Sequence, residues 1–275
     1  MNVQVLVSIM NQTDHSLPAK MNISTDAIIG NQCNYNSIEK FDYNGNTIKY
    51  LNFDERGIGL NRNNSLIRAD GDILVFADDD ETFFDNYGSI IKDAYNKLPK
   101  ADAIFFNIDY TGSSRKPKNF RKISKMQLFN SLGIATPRIT IKNRSVKSNN
   151  INFHRQFGGG ADYSCGEDSL FIADIFKKGL TIYAYPATIS TIERTTSTWF
   201  KGYNEKYFYD KGALFAAMFK RFGYILCCLV FLKNRKLLFD GAIGYRRAAK
   251  LARCGAKGFY KGITYEKWAM GEKNV

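Results

Sequence analysis

The sequence predicts an α/β protein whose sheet is mostly parallel and flanked by helices. Strand-like segments alternate with segments of helical spacing through the first two thirds of the chain. The run DILVFA at 72–77 is almost continuously apolar, which is typical of a strand buried on both faces. No apolar stretch approaches the roughly 18 residues that a membrane-spanning helix requires. We therefore expect a globular α/β unit rather than an integral membrane protein.

Each element has its own local signal. β-branched and aromatic residues mark the strands, and apolar residues spaced three and four apart mark the helices. Ser164 and Glu167 fit a capping box at the start of the last of these helices, and Gly179 fits its end. The predicted strands are 3–9, 26–29, 47–53, 72–77, 101–108 and 180–186, and the predicted helices between them are 59–69, 83–98 and 164–179.

The remaining segments are less regular. Residues 111–122 form a basic loop, and RITIKN and NINFHRQF predict short strands before Gly158-Gly159-Gly160. Beyond about residue 200 the sequence predicts helices with basic flanks and no clear strand. We therefore divide the chain into an α/β unit at 1–200 and a helical basic extension at 201–275.

The net charge of +13 is unevenly distributed along the 275 residues. Residues 1–110 carry nine Lys or Arg against sixteen Asp or Glu, whereas 111–161 carry eleven basic residues and no acid. Residues 201–275 carry sixteen basic residues against five acidic ones. This pattern favours a protein that handles cations at one place and anions at another.

Cysteine and histidine usage excludes several classes of site. The five cysteines contain no C-x-x-C pair, which argues against a zinc ribbon, and their odd number argues against a secreted disulfide framework. Two histidines cannot build a histidine-rich metal site. The first fifteen residues lack a basic leader region and predict a strand rather than a signal peptide. We therefore expect reduced thiols and a cytoplasmic location.

Two acidic motifs could carry chemistry. Asp78, Asp79 and Asp80 follow the buried strand at 72–77, where ligands bind in open α/β sheets, and crowded carboxylates suit Mg²⁺ or Mn²⁺. The alternative is an acidic loop that caps the next helix. Glu167 and Asp168 open another helix, whose first turn stabilises a carboxylate able to accept a proton, although acids are also common at helix starts.

A third segment could contact phosphate. The run RGIGLNRN at 56–63 offers glycine backbone N–H groups and arginine side chains ahead of a helix. It lacks both the G-x-G-x-x-G spacing and the Walker A lysine, which argues against a dinucleotide site and against a P-loop.

In their order, these blocks resemble the family 2 glycosyltransferases of the GT-A fold. The resemblance covers roughly residues 3–200 and is carried by ERGIGLNRNNSLIRADGDILVFADDDETF and by GGGADYSCGEDSLFIADIFKKGLTIYAYP. An R-N pair on a helix, an A-D-G-D turn, a buried strand and an acidic triplet recur in that order in the family. The G-E-D-S-L-F block is the family's second signature. The resemblance implies a GT-A domain at 1–200.

The resemblance also implies a role for individual residues. Asp168 is similar to the base that deprotonates the acceptor hydroxyl, with Glu167 beside it in the same motif. The metal would lie at Asp78 and Asp80, and Asp79 stands between them. The implied donor-binding residues are Asn11, Gln32, Arg62, Asn63, Asp78 and Asp79.

Two departures from the family pattern stand out. The family usually shows an acidic run after the second strand, whereas this chain has Gly30-Asn31-Gln32-Cys33-Asn34, whose amides can still hydrogen-bond a base. Many members carry a metal-binding histidine after the last strand, and here Glu193 stands near that place.

The implied activity is an inverting transfer from a nucleoside-diphosphate sugar, with UDP-sugar expected, assisted by Mn²⁺ or Mg²⁺. The acceptor is expected to be a glycan or a lipid-linked glycan. Residues 213–239 interleave apolar and basic residues, which fits either contact with the inner face of the cell membrane or packing on the core. The alternatives are a nucleic-acid or polyanion-binding module and an inactive GT-A-like protein. Because no nucleic-acid motif is present and the acidic triplet would repel a polyanion, we expect no nucleic-acid partner.

Overall fold

A computed structural model describes residues 1–112, 118–193, 202–239 and 243–273. The strands are β1 (Val3–Met10), β2 (Asp26–Cys33), β3 (Ser37–Tyr43), β4 (Asn46–Asp54), β5 (Ile73–Asp78), β6 (Glu81–Phe83), β7 (Ala103–Thr111), β8 (Ser124–Lys125), β9 (Ile139–Lys142) and β10 (Ile182–Glu193). The helices are α1 (Leu17–Lys20), α2 (Ile58–Arg68), α3 (Tyr87–Lys97), α4 (Leu128–Ser131), α5 (Asn143–Asn149), α6 (Glu167–Lys177), α7 (Glu205–Phe219), α8 (Gly223–Lys233), α9 (Arg235–Leu238), α10 (Tyr245–Lys261) and α11 (Tyr265–Lys273).

The strands form one mixed sheet in the order β3-β4-β2-β1-β5-β9-β7-β10-β6, with β8 paired to β10. The central strands β4, β2, β1 and β5 are parallel, as are β7 and β10. The short strand β9 runs antiparallel between β5 and β7, and the edge pairings are also antiparallel. The α/β class with a helix-flanked sheet is confirmed. The sheet has more antiparallel strand pairs than the mostly parallel sheet that was predicted, at β9 and at both edges.

Side chains alternate between two apolar layers because successive residues of a strand point to opposite faces. Val5 and Val7 of β1 face a cluster that includes Ile91 of α3. Leu6 faces the other cluster, which includes Leu66 of α2 and Phe171 of α6. Helices therefore cover the sheet on both sides, with α2 and α6 on the same side.

The helical extension packs on the α/β core through α7. Its residues Ala213 and Leu214 share a buried cluster with Phe157 and Leu170 of the core. Helices α7 and α10 approach closely, since a Cβ at Gly212 would lie 2.0 Å from the Ala252 carbonyl oxygen. The predicted division at residue 200 falls within 194–201, and part of the predicted basic loop falls within 113–117, both outside the described residues.

Three local predictions differ from the structure. Residues 150–157 form no strand apart from a single bridge of Phe157 to Tyr163. The helix expected at 83–98 begins only at Tyr87, because 81–83 is held as β6 against β10. The Ser164 capping box is absent: α6 is preceded by Gly166, which makes no side-chain cap.

The helical run Glu205–Lys233 is long and apolar enough to cross a membrane by length and composition, which corrects the expectation that no stretch approaches that limit. The same criterion is met by core helices of soluble proteins. The run is not straight. The backbone breaks at Lys220 (φ 51, ψ −130), and a Cβ on Gly223 would lie 2.2 Å from the Phe215 carbonyl oxygen. Helices α7 and α8 are therefore folded against each other.

Candidate functional site

The two acidic motifs meet at one buried arginine. Asp78 ends β5, and Glu167 and Asp168 begin α6, while Arg62 projects from α2 between them. The Arg62 guanidinium lies 2.9 Å from Asp78 Oδ1, 3.4 Å from Glu167 Oε1 and 3.3 Å from Asp168 Oδ1. Segments about a hundred residues apart in the chain are thereby joined in one site.

Arg62 is charged in spite of its burial. Its side chain is 4% exposed, and its Cζ lies 5.2 Å from the centre of the Phe153 ring. Burial alone would lower the pKa of Arg62, but the facing carboxylates of Asp78, Asp168 and Glu167 raise it. A permanently cationic guanidinium is the group best suited to hold several carboxylates in fixed positions.

Asp168 has the surroundings of a proton acceptor that works near neutral pH. Burial and the neighbouring Glu167 raise its pKa, whereas Arg62 and a hydrogen bond from the Thr136 hydroxyl act in the opposite direction. The Thr136 hydroxyl donates to Asp168 Oδ1. The carboxylate remains 29% exposed and is therefore within reach of a substrate. Thr136 was not singled out from the sequence, because it stands in a short 3-10 turn with no motif around it.

Gly158, Gly159 and Gly160, the glycine loop, lie between the start of α2 and Glu167. The Ile58 N–H at the start of α2 donates to the Gly159 carbonyl, 3.0 Å away. A Cβ on Gly158, whose φ is +104°, would lie 2.8 Å from the Glu167 carboxyl carbon. Only glycine fits this position without displacing a neighbour, because both the backbone conformation and the space exclude a side chain.

Asp210 on α7 organises the loop before α6. It accepts hydrogen bonds from the Ser164 backbone N–H at 2.9 Å and from the Ser164 hydroxyl at 2.7 Å. Ser164 therefore does not cap α6, although its sequence position predicts that it would. The side chain of Leu214 fills the space beside Gly166, where a Cβ would lie 2.5 Å away. The extension thus contacts the residues that directly precede Glu167.

Three carboxyl groups in the acidic loop after β5 have raised pKa values. Burial, together with Asp78 and Asp79, raises the pKa of Asp80 to about 6. The pKa of Asp79 is also raised, by burial and by Asp78. Glu81 is fully buried, accepts a hydrogen bond from Ser190, and has a pKa raised well above its ordinary value. The loop therefore gathers carboxyl groups whose negative charge is disfavoured by burial and by their mutual repulsion.

This charge fits a divalent cation. Within the described ranges, no three His, Cys, Asp or Glu side chains are grouped so as to hold a metal ion by themselves. Mg²⁺ and Mn²⁺ in nucleotide sites need only one or two carboxylates, and phosphate oxygens and water complete the shell. Asp78 and Asp80 are the two carboxylates of this loop that could contribute to such a partial shell. The Glu193 N–H donates to the Asp80 carbonyl at 3.1 Å, which places the predicted substitute ligand next to the loop.

The other predicted donor residues have two kinds of surroundings. Asn11, an exposed residue with φ 54, stands at the end of β1, and its N–H donates to the Gln32 carbonyl at 2.9 Å. The Gln32 side chain accepts from Gly57 N–H at 2.8 Å and so holds the turn before α2. Asn63 is buried and exchanges two hydrogen bonds with the Phe153 backbone, at 2.9 and 2.8 Å. Asn63 therefore holds the backbone of Phe153, whose ring lies against Arg62, and its side chain makes no hydrogen bond to Asp78, Glu167 or Asp168.

The fold is similar to that of solved structures of S. aureus TarS. Among solved structures, S. aureus TarS 1–349 in complex with UDP-GlcNAc aligns with a TM-score of 0.59 at 15% identity, covering 96% of this chain and 93% of that one. TarS 1–349 in complex with UDP aligns with a TM-score of 0.58 at 16% identity over the same shares. At such identities the likeness shows the fold, and the GT-A fold predicted from the sequence is confirmed. No protein-family model and no curated protein matches the sequence.

Proposed function

We propose that the protein is an inverting glycosyltransferase of the hexosyltransferase type that uses a nucleoside-diphosphate sugar. The observation that carries the proposal is the Arg62 bridge, which joins the acid after β5 to the acids that begin α6. The fold shared with TarS supports it, because the TarS structures hold UDP-GlcNAc and UDP. From them we infer a UDP-sugar as the donor.

In this mechanism Asp168 accepts the proton of the acceptor hydroxyl. The freed oxygen forms a bond to the anomeric carbon as the bond from that carbon to the diphosphate oxygen breaks. A single displacement inverts the anomeric configuration. Thr136 and Arg62 keep Asp168 Oδ1 in place, and Glu167 helps to keep its pKa high enough for proton transfer near neutral pH.

Asp78 and Asp80 would hold Mn²⁺ or Mg²⁺ together with the diphosphate. When bound, such an ion neutralises the charge that builds on the leaving group. Asn11 and Gln32 lie where β1 and β2 end, at the same edge of the sheet as Asp78, and we assign this edge to the nucleotide. Arg62 acts on the acids rather than on the diphosphate, because its guanidinium already faces three carboxylates.

The acceptor we propose is a hydroxyl of a glycan or of a lipid-linked glycan. Two alternatives predict different behaviour. An inactive GT-A-like protein would bind the nucleotide and transfer nothing, and a polyanion-binding module would bind oligonucleotides and ignore the nucleotide sugar. The raised pKa of Asp168 in a partly exposed position favours the enzyme, because an inert fold needs no such group.

The test combines donor binding with transfer. A ligand present at about one hundred times its dissociation constant adds about 2.7 kcal/mol to the free energy of unfolding, which is a melting shift of a few degrees. We expect UDP or a UDP-sugar to shift the melt with Mn²⁺ or Mg²⁺, and EDTA to abolish the shift. Asp80→Asn should also abolish it.

Substitutions in α6 test the transfer step. Asp168→Asn should keep the donor-induced melting shift and lose transfer by a factor of about 10³ or more. Asp174→Asn is the matched control, because Asp174 lies on the same helix and its side chain pairs with Lys177 at the surface. Near-normal turnover of Asp168→Asn would contradict the assignment of Asp168 as the base. If no nucleotide shifted the melt, the proposed nucleotide-sugar donor would be contradicted.

A further inference from the structure

Helix α8 exposes an apolar face to solvent. The face consists of Phe222, Ile225, Leu229 and Leu232, which recur at intervals of three and four and therefore lie on one side of the helix. Ile225, Leu229 and Leu232 are 57%, 55% and 47% exposed. We call this surface the α8 face. A contiguous apolar stripe of this kind is uncommon on a soluble surface unless something binds it.

The opposite side of α8 is buried and accounts for its packing. Cys227 and Phe231 share a buried cluster with Ala248 and Leu251 of α10. The helix is therefore already anchored, and the α8 face is not needed for the fold of the described chain. An apolar helix anchored on one side and bare on the other carries its hydrophobic surface at a cost in solubility.

Basic residues border the α8 face without any acid among them. Residues 211–239 and 243–261 contain no Asp or Glu. The adjacent helix α10 carries a second row of exposed basic residues spaced three and four apart, so that they share one side of that helix. The exposed basic residues beside the α8 face are Lys220, Arg221, Lys233, Arg235 and Lys236, and those on α10 are Arg246, Lys250, Arg253, Lys257 and Lys261.

We propose that the α8 face and its basic border dock the protein on an anionic phospholipid surface. A helix with apolar residues on one side and cations at its flanks lies in the headgroup region, where apolar burial and attraction to anionic lipid act together. In a cytoplasmic protein this surface is the inner face of the cell membrane. The inference deepens the proposed function, because a lipid-linked acceptor would be presented at the same surface.

The face is linked to the candidate active site through α7. Gly223 of α8 packs against Phe215, and Leu214 packs against Gly166, the residue before Glu167. The composition of the face argues against nucleic acid, because three of its four side chains are aliphatic and neither stack on bases nor bind phosphate. It also argues against a second copy of the chain, since the cationic borders would then face each other.

The test measures sedimentation of the 275-residue chain with phosphatidylcholine vesicles that contain or lack phosphatidylglycerol. We expect binding to the anionic vesicles only, and weakening in high salt. Each basic residue near an anionic surface is worth about fivefold in binding. The variant Lys233→Gln with Arg235→Gln and Lys236→Gln should therefore bind on the order of 100-fold more weakly.

Two matched controls separate the face from the rest of the surface. Lys92→Gln with Lys97→Gln and Lys100→Gln removes the same charge from exposed positions on or beside α3 and should leave binding unchanged. The variant Ile225→Asn with Leu229→Asn and Leu232→Asn should lose binding roughly tenfold or more. The same change at exposed apolar residues elsewhere should have no such effect, and the residues for it are Ile38, Ile67 and Met270.

Several outcomes would overturn the inference. These are no wild-type binding to anionic vesicles, equal loss in the control variants, tighter binding to an oligonucleotide than to vesicles, or a stable dimer that shields the face. The UDP-dependent melting shift is measured on the same preparations. A normal shift without vesicle binding refutes only the docking surface, whereas vesicle binding without a shift refutes only the proposed donor.

Discussion

At the residue scale, one guanidinium serves three carboxylates. Arg62 can neutralise only one of the charges of Asp78, Glu167 and Asp168, so the cluster keeps an excess of negative charge. The excess is relieved most easily by protonation of the group with the raised pKa, which is Asp168. In the proposed reaction, a carboxylate with a raised pKa would accept a proton readily.

The first prediction concerns pH. Because Asp168 is active only when it is ionised and its pKa is raised, kcat/KM should fall as pH falls, at a pH well above the ordinary value of 3.8. The contribution of Asp168 alone to stability changes with pH in the opposite direction to kcat/KM. The folded state holds the proton more tightly than the unfolded state, so its contribution to the free energy of unfolding grows as pH falls. Activity and melting are measured at each pH, and a flat kcat/KM down to the ordinary range would contradict the assignment.

The second prediction concerns Thr136. Thr136→Val removes a hydrogen bond that lowers the pKa of Asp168, so the acid limb of the pH profile should move to higher pH. Loss of a hydrogen bond to a charged group should reduce kcat roughly 10- to 100-fold and leave the donor KM unchanged. Thr136→Ser keeps the hydroxyl and should restore both. A kcat loss without movement of the acid limb would indicate a purely structural role.

The sequence predicted the acids of the site better than the residues that hold them. Asp78 and Asp168 carry local signals, one at the end of a buried strand and the other at a helix start. Thr136 reaches Asp168 across 32 positions, and no local pattern encodes that contact. Asn63 was assigned to the donor by motif alone, whereas burial turns its amide toward the Phe153 backbone.

At the element scale, Gly158 lies between Ile58 at the start of α2 and Glu167 at the start of α6. The third prediction is that Gly158→Ala lowers both activity and stability. A non-glycine residue at φ +104° is strained by roughly 1 kcal/mol or more, and the new Cβ would push against Ile58 and Glu167. Transfer rate and thermal melting are the readouts. Gly133→Ala, which also has a positive φ but nothing within 4 Å, controls for backbone strain, and equal losses in both variants would exclude a steric effect on Glu167.

Element prediction succeeded where a strand or helix is buried and failed at the edges. β1 and β5 are almost fully buried and were correctly assigned. The edge strand β3 alternates between half-buried and exposed residues and was missed, although Asn44-Gly45 in its turn, with φ of 53° and 78°, is a hairpin signal. The segment 150–157 was wrongly predicted as a strand because Ile151 and Phe153 alternate with polar residues. Phe153 packs on Phe76 and Phe171 in the core, and this packing needs no strand.

At the scale of the whole molecule, the extension holds the loop that precedes α6. The fourth prediction is that Asp210→Ala lowers the free energy of unfolding by about 1–3 kcal/mol, because the Ser164 N–H loses its buried acceptor. Transfer should fall with it, since the same loop leads into Glu167. Glu266→Ala is the matched control: both acids pair with Lys206, but Glu266 is 53% exposed. Thermal unfolding compares the two, and equal loss would assign the effect to Lys206.

Composition predicted the helical, basic character of the extension but not its attachment. The contacts of Asp210 with Ser164 and of Leu214 with Gly166 join residues more than forty positions apart. Sequence periodicity shows which side of a helix is apolar, but it does not show which other element packs against that side. The buried side of α7 and the bare side of α8 are both apolar, and only the tertiary structure separates them.

The attachment of Ser164 to Asp210 has a consequence for biosynthesis. A ribosome makes the chain from the amino end, so both acidic motifs are complete well before residue 210 is added. A nascent chain that ends near residue 200 contains Arg62, Asp78 and Asp168 but lacks the side chains that hold the loop before α6. The order of translation therefore makes the loop before α6 a late-maturing part of the chain, because its contacts with Asp210 and Leu214 form only after α7 has been made.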